Sequence, residues 1–145
     1  MTFKTLTTDE EISAAFPLMS VLRERLRAET FVKEVRRQQR DGYELIGGFD
    51  GDRLVTLAGI RRSHTLSRGE HLFVDDLVTD ESVRGRGYGK AAIAWLAARA
   101  RAEGVPKIFL DSRITARGFY ERVGFTFHTS IPCWIDVTKG GDTQG

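Results

Sequence analysis

Apolar positions along this chain follow two periods, and each change of period marks an element. Residues 2–6 read as a short strand. Thr8 then caps a helix, with Asp9, Glu10 and Glu11 at its positive end and Glu11 completing a capping box. Ile12, Ala15, Phe16 and Met19 recur at helical spacing, and Pro17 bends or restarts the helix. A second helix is predicted over 29–40, with Phe31, Val32 and Val35 inward and Lys33, Arg36, Arg37 and Arg40 on the other face; Asp41-Gly42 ends it. Strands follow over 43–49 and 53–61, joined by a tight turn at Asp50-Gly51-Asp52. A polar loop over 62–69 leads to a long strand over 71–79. A glycine run then opens a helix over 87–103, stopped by Gly104 with Pro106 beyond. Residues 107–111 read as a strand and 115–123 as a short helix ending at Gly124. Residues 125–137 read as a final pair of strands, broken near Pro132. The order predicts a mixed α/β fold with a parallel crossover through the helix after the glycines.

Composition narrows the picture modestly. The chain has 145 residues, enough for one domain with a real core. Its net charge is +2 despite 22 basic residues, so bulk charge gives no argument for nucleic acid. The acidic N-terminal region lacks the apolar run of a signal peptide, and no stretch is long enough to span a bilayer. The lone Cys133 cannot form an internal disulfide, and no Cys/His cluster suggests zinc or another metal. An intracellular, cytoplasmic enzyme or binding module is expected. The boundaries are 1–137 for the domain and 138–145 for a polar, glycine-rich flexible tail.

The chemistry is concentrated in Val83-Arg84-Gly85-Arg86-Gly87-Tyr88-Gly89-Lys90. Glycines let the backbone approach a ligand, and a helix start offers unpaired N–H groups and a positive dipole end. Together these suit a phosphate. A Walker loop does not fit, because Ala91 replaces the hydroxyl and Arg84 the first glycine. A dinucleotide fingerprint does not fit either, because Lys90 stands where its third glycine belongs. The pattern R/Q-x-x-G-x-G/A does fit, as Arg84-x-x-Gly87-x-Gly89.

With the strand Asp75-Asp76-Leu77-Val78-Thr79 before that loop and Gly118-Phe119-Tyr120-Glu121-Arg122-Val123-Gly124-Phe125 after the next strand, the chain resembles the GNAT superfamily of N-acetyltransferases. The resemblance is strongest over 71–127. It implies a single GNAT-like α/β domain: a mixed, mostly antiparallel central sheet with a splayed parallel pair, and helices on both faces. It implies acetyl-CoA as co-substrate. Backbone N–H groups of Gly85, Arg86, Gly87, Tyr88, Gly89 and Lys90 would cradle the pyrophosphate, with Arg84 and Arg86 able to add charge-assisted bonds. The pantetheine arm would pair with Leu77, Val78 and Thr79 as an added strand. Ser112 is expected to cap the following helix and contact the cofactor. Arg113 stands where many family members carry asparagine.

Acetyl transfer to an amine needs a neutral amine, a stabilised carbonyl oxygen, a proton for the leaving thiolate and aligned substrates. Tyr120 is the candidate acid, since a phenol near ~10 can protonate a thiolate near ~8.5. The competing role for Tyr120 is a core aromatic beside Phe119. Asp75 and Asp76 interrupt an apolar strand, where aspartate is disfavoured and an unpaired buried charge is costly. Adjacent strand residues face opposite ways, so only one lines a cleft unless a bulge turns both inward. The resemblance implies amine binding or proton relay for both: Asp75 as base or relay, Asp76 as orienter. An arginine partner or a loop cap is the plainer role for at least one of them. His71 is a further candidate base, although three scattered histidines make a surface role commoner. Cys133 is expected to be a small core or edge residue.

Phe16, Arg23, Glu24, Tyr43, His128 and Trp134 are candidate walls for the acceptor. The leading reading is transfer from acetyl-CoA to a primary amine of a small molecule in a ternary complex. The alternatives are a protein or peptide N-acetyltransferase and a non-catalytic acyl-CoA-binding module. Expected partners are a small amine, with no nucleic acid or membrane, in a monomer or homodimer.

Overall fold

Thr8 starts the first helix as its chemistry dictates. Its hydroxyl accepts from the Glu11 amide at 3.1 Å, and the Glu11 carboxylate accepts from the Thr8 amide at 3.1 Å. In this computed structural model, which describes Met1–Lys139, α1 (Asp9–Ala14) stops before Pro17 and α2 (Phe16–Leu22) restarts with that proline in its first turn, where no N–H is missed. Next, α3 (Ala28–Gln39) buries Phe31 and Val35. The chain divides into two compact units, Met1–Leu110 and the segment from Asp111.

The first unit holds a five-stranded mixed sheet in the order β1-β2-β3-β4-β5. The strands are β1 (Thr2–Thr5), β2 (Tyr43–Asp50), β3 (Arg53–Thr65), β4 (Gly69–Thr79) and β5 (Ile108–Leu110). All pairs are antiparallel except β4–β5, whose crossover is α4 (Tyr88–Ala102). Side-chain alternation builds a core on each face. Leu45, Leu57 and Val78 pack with Ile12, Met19, Phe31 and Val35 of α1–α3. Their neighbours Ile46, Ala58, Ile60, Leu72 and Val74 pack with Leu96 and Ala100 of α4. Each fully buried side chain of this size contributes roughly 1.5–3 kcal/mol. Gly104 ends α4 at φ +72°, and Val105 N–H reaches the Ala100 carbonyl at 2.8 Å, closing a Schellman motif that tucks Val105 into that core.

The parallel pair splays. β5 pairs only with Leu72, Phe73 and Val74, while β4 runs on to Thr79. From Asp75 onward that edge of β4 has no strand partner among the described residues.

In the second unit, a 3-10 turn (Ile114–Ala116) leads into α5 (Arg117–Arg122). The two strands expected within 125–137 do not form among the described residues. Alternating side chains supply half of a strand; the backbone still needs a neighbour for its N–H and C=O groups, and here Ile131, Trp134, Ile135 and Val137 stand exposed. Cys133 is exposed too, contrary to the core or edge position expected for it. The polar loop shrinks to 66–68, because β3 and β4 extend into it. Of the tail, residues 140–145 lie outside the described residues.

Candidate active site

The two aspartates of β4 sit at a β-bulge. Gly59 faces Asp76 and Ile60 faces Val74, so Asp75 is the extra residue on its strand. The bulge brings both carboxylates to the sheet face covered by α1–α3. Asp75 is gripped bidentately by Arg61, Nε to Oδ2 at 2.6 Å and Nη2 to Oδ1 at 2.8 Å. Asp76 accepts from Arg23 Nε at 2.9 Å through Oδ1 and from the Tyr43 hydroxyl at 2.8 Å through Oδ2. Arg23 also donates to the Asp75 carbonyl at 2.7 Å. Both aspartates therefore have arginine partners, where the sequence argued for at least one. This offsets the cost of placing two carboxylates in an otherwise apolar strand.

Local sequence explains how these partners meet. Arg23 follows the last turn of α2, and Tyr43 opens β2 directly opposite Arg61. The Tyr43 side chain crosses β3 above Gly59, where a Cβ would overlap its hydroxyl and lie 2.5 Å from Asp76 Oδ2. Burial, followed by the Asp76 charge, holds the Tyr43 phenol far above its usual range. The Asp75 hydrogen bonds raise Arg61, which stays cationic. Arg61 also lies over the Phe73 ring, 5.6 Å from its centroid.

The glycine loop follows β4 through a 3-10 turn (Glu81–Val83) whose Val83 is buried. Gly85 and Gly87 both take φ +83°, a left-handed conformation that other residues resist. Gly87 is the N-cap of α4 and supplies no side-chain cap. None of the six backbone N–H groups from Gly85 to Lys90 donates a hydrogen bond to another described residue. Six free donors at the positive end of a fifteen-residue helix have the chemistry an anion site needs. The Tyr88 hydroxyl donates to Asp50 Oδ2 at 2.7 Å, and Arg84 lies 3.6 Å from Glu81.

In the second unit, Tyr120 lies between Phe119 and Phe125, with ring centroids 5.0 and 5.4 Å away. Gly124 at φ +101° ends α5, and Phe125 N–H reaches the Tyr120 carbonyl at 2.9 Å. This Schellman motif gives the Tyr-x-x-x-Gly-Phe spacing a physical reason: glycine for the left-handed turn, and an aromatic to pack back on the tyrosine. Desolvation raises the Tyr120 phenol, which keeps its proton at neutral pH. Ser112 does not cap the helix. Its hydroxyl donates to the Arg113 carbonyl at 2.7 Å, and Arg113 rather than Ser112 holds the N-cap position of the 3-10 turn.

A model of the acetyltransferase (GNAT) family matches residues 9–125. The chain belongs to this family. It is accordingly an acetyltransferase of the GNAT type. It is 33% identical over 133 residues to the uncharacterized N-acetyltransferase YhdJ of Bacillus subtilis (strain 168), covering 88% of this chain and 94% of that one. It is 37% identical over 78 residues to the glucosamine 6-phosphate N-acetyltransferase of Trypanosoma brucei brucei, covering 52% of this chain and 53% of that one. Among solved structures, it is similar to an acetyltransferase of Trypanosoma brucei, with a TM-score of 0.73, 25% identity, and 94% and 99% of the two chains covered.

Of the expected site residues in this GNAT chain, Asp75 and Asp76 share one network, and Leu77, Val78 and Thr79 continue the same strand into the loop from Arg84 to Lys90. Tyr120 and Ser112 belong to the second unit. His71 is buried at 2% exposure, its Nδ1 2.8 Å from the Gly69 carbonyl, so the surface role expected for it does not hold. Among the acceptor walls, Arg23 and Tyr43 join the aspartates. Phe16 packs edge-on against Phe31 at 5.4 Å, while Glu24, His128 and Trp134 are exposed. Sequence reasoning missed Arg61. The available signal was the pair of strand aspartates, which demanded cations without naming them.

Proposed function

We propose that the protein transfers an acetyl group from acetyl-CoA to a primary amine of a small molecule, by direct attack in a ternary complex. The observation that carries this reading is the row of unpaired N–H donors from Gly85 to Lys90 at the start of α4. A diphosphate matches that row in charge and acceptor count. Ahead of it, Leu77, Val78 and Thr79 end a strand that β5 has left, which suits an extended pantetheine arm bonding as a strand would. Arg84 and Arg86 add positive charge at the loop, and Ser112 is assigned to the cofactor by the resemblance alone. Residues 1–137 are assigned to one acetyltransferase domain.

In the reaction, the amine nitrogen attacks the thioester carbonyl carbon. A C–N bond forms, the C–S bond breaks, and the thiolate takes a proton from Tyr120. The proton lost by the amine passes toward Asp75, directly or through water. Arg61 holds both Asp75 oxygens, so this carboxylate is positioned as well as charged. Asp76, fixed by Arg23 and Tyr43, orients the amine. Glucosamine 6-phosphate, the substrate in the name of the trypanosomal relative, belongs in the first panel of acceptors.

The test is thiol release from acetyl-CoA with a panel of free amines, amino sugar phosphates and peptides. Saturable release with a free amine supports the proposal. Activity on peptides alone contradicts the small-molecule acceptor, and tight CoA binding with no release from any amine contradicts catalysis.

A further inference from the structure

We propose that the β2–β3 turn is a positioning device for the glycine loop: Asp50 and Arg53 hold the loop's two ends and so fix the spacing of its N–H donors. The proposal rests on the reading of Gly85–Lys90 as a diphosphate cradle.

The register of the sheet creates the device. The antiparallel alignment that sets Thr56 opposite Thr79 continues past the end of β4, where Asp80 N–H reaches the Val55 carbonyl at 2.8 Å. Two residues further, Arg53 reaches Ser82. Its Nη2 donates to Asp80 Oδ2 at 2.9 Å and to Ser82 Oγ at 2.6 Å. Asp80 Oδ1 in turn accepts from the Ser82 amide at 2.9 Å and the Ser82 hydroxyl at 2.8 Å. One guanidinium thus braces the turn that feeds the loop. Paired with Arg53 across the turn, Asp50 ends β2 and receives the Tyr88 hydroxyl at 2.7 Å. Tyr88 is the first residue of α4, so this bond braces the loop's exit.

Between these two braces the loop has little to hold it. A Cβ on Gly85 or Gly87 would meet nothing within 4 Å. The Arg84–Glu81 pair, at 3.6 Å, is long and local. The donors are therefore placed by their ends, through contacts that all leave from one four-residue turn.

Magnitude separates a positioning role from a stabilising one. Arg53 is 55% exposed and Asp80 32%, and exposed ion pairs add little to folding free energy. Holding several donors at one spacing before a ligand arrives has a larger effect on affinity, because the ordering cost is removed from binding. Loss of a brace should show in diphosphate affinity and hardly at all in melting.

The experiment compares the unaltered protein with Arg53→Ala, Arg53→Lys, Asp50→Ala and the double variant Asp50→Ala/Arg53→Ala. Each is titrated with CoA by calorimetry. KM is measured for acetyl-CoA and for acetyl-pantetheine, which lacks the diphosphate, and melting is followed by circular dichroism. Expected is a rise of about tenfold in CoA Kd for Arg53→Ala and about fivefold for Asp50→Ala, with the double variant weaker than either. Arg53→Lys, which retains a cation for Asp80, should recover part of the loss. KM for acetyl-pantetheine and kcat at saturation should stay within about twofold, and the melting temperature within a few degrees. CoA affinity unchanged in the single and double variants would overturn the proposal. So would an equal loss toward acetyl-CoA and acetyl-pantetheine, or a melting drop that accounts for the weaker binding. If the unaltered protein gives no saturable CoA binding, the cradle reading itself fails and the brace falls with it.

Discussion

The Tyr43 hydroxyl donates to Oδ2 of Asp76 at 2.8 Å, across a β3 position where only glycine leaves room. Three strands meet in that contact: Tyr43 from β2, Gly59 from β3 and Asp76 from β4. It explains how a carboxylate is tolerated beside an apolar core, since a buried donor and Arg23 share its charge.

Gly59→Ala tests that geometry. The added methyl overlaps the Tyr43 hydroxyl and approaches Asp76 Oδ2 to 2.5 Å, so tyrosine or strand must move. Overpacking of this kind costs about 1–3 kcal/mol. Urea denaturation should show that loss, and adding Tyr43→Phe to Gly59→Ala should recover part of it.

Tyr43→Phe carries a pH signature. The folded protein holds this phenol protonated, while in the unfolded chain it ionises near the ordinary phenol value of about 10. Its contribution is therefore whole below about pH 10 and erodes above it, where the unfolded state sheds a proton the folded state keeps. At neutral pH, Tyr43→Phe should cost on the order of 1–2 kcal/mol. Denaturation midpoints between pH 8 and 11, on the order of the phenol range, should show the two proteins converging as alkali is added. A constant difference across that range contradicts the account.

Tyr120→Phe separates chemistry from binding. The ring contacts with Phe119 and Phe125 survive and only the proton is lost. Turnover should fall about 10²-fold with KM for acetyl-CoA little changed. Equal loss in both, measured by steady-state kinetics, assigns Tyr120 to packing instead.

Asp75→Asn and Asp76→Asn ask which carboxylate handles the proton. The Arg61–Asp75 and Arg23–Asp76 pairs have half-exposed arginines, so each change should cost only about 1 kcal/mol of stability after screening. Asp75→Asn should lose most of kcat with KM for the amine little changed. Asp76→Asn should keep most of kcat and raise KM for the amine. Two variants that both retain the parent kcat and KM contradict the relay and orienting roles.

What the sequence disclosed was mostly what neighbouring residues decide. The Thr8–Glu11 capping box, the restart at Pro17 and the stops at Gly104 and Gly124 depend on residues within one turn. The glycine loop was legible for the same reason. The bulge at Asp75 was not, because it appears only when β4 is set against β3. Nor were the arginines, since Arg61 lies 14 residues from Asp75 and Arg23 lies 53 from Asp76. Residues 125–137 misled because alternation describes a side-chain pattern and says nothing of a neighbouring strand. Ser112 misled because a hydroxyl before a helix can equally turn to an adjacent carbonyl.

The central claim is that backbone donors at the start of α4 hold a diphosphate. Calorimetric titration of the protein with CoA and, separately, with pantetheine tests it most directly. CoA should bind saturably, and pantetheine at least about 100-fold more weakly, because it lacks the group those donors face. No saturable heat with CoA, or equal affinity for both compounds, would contradict the claim.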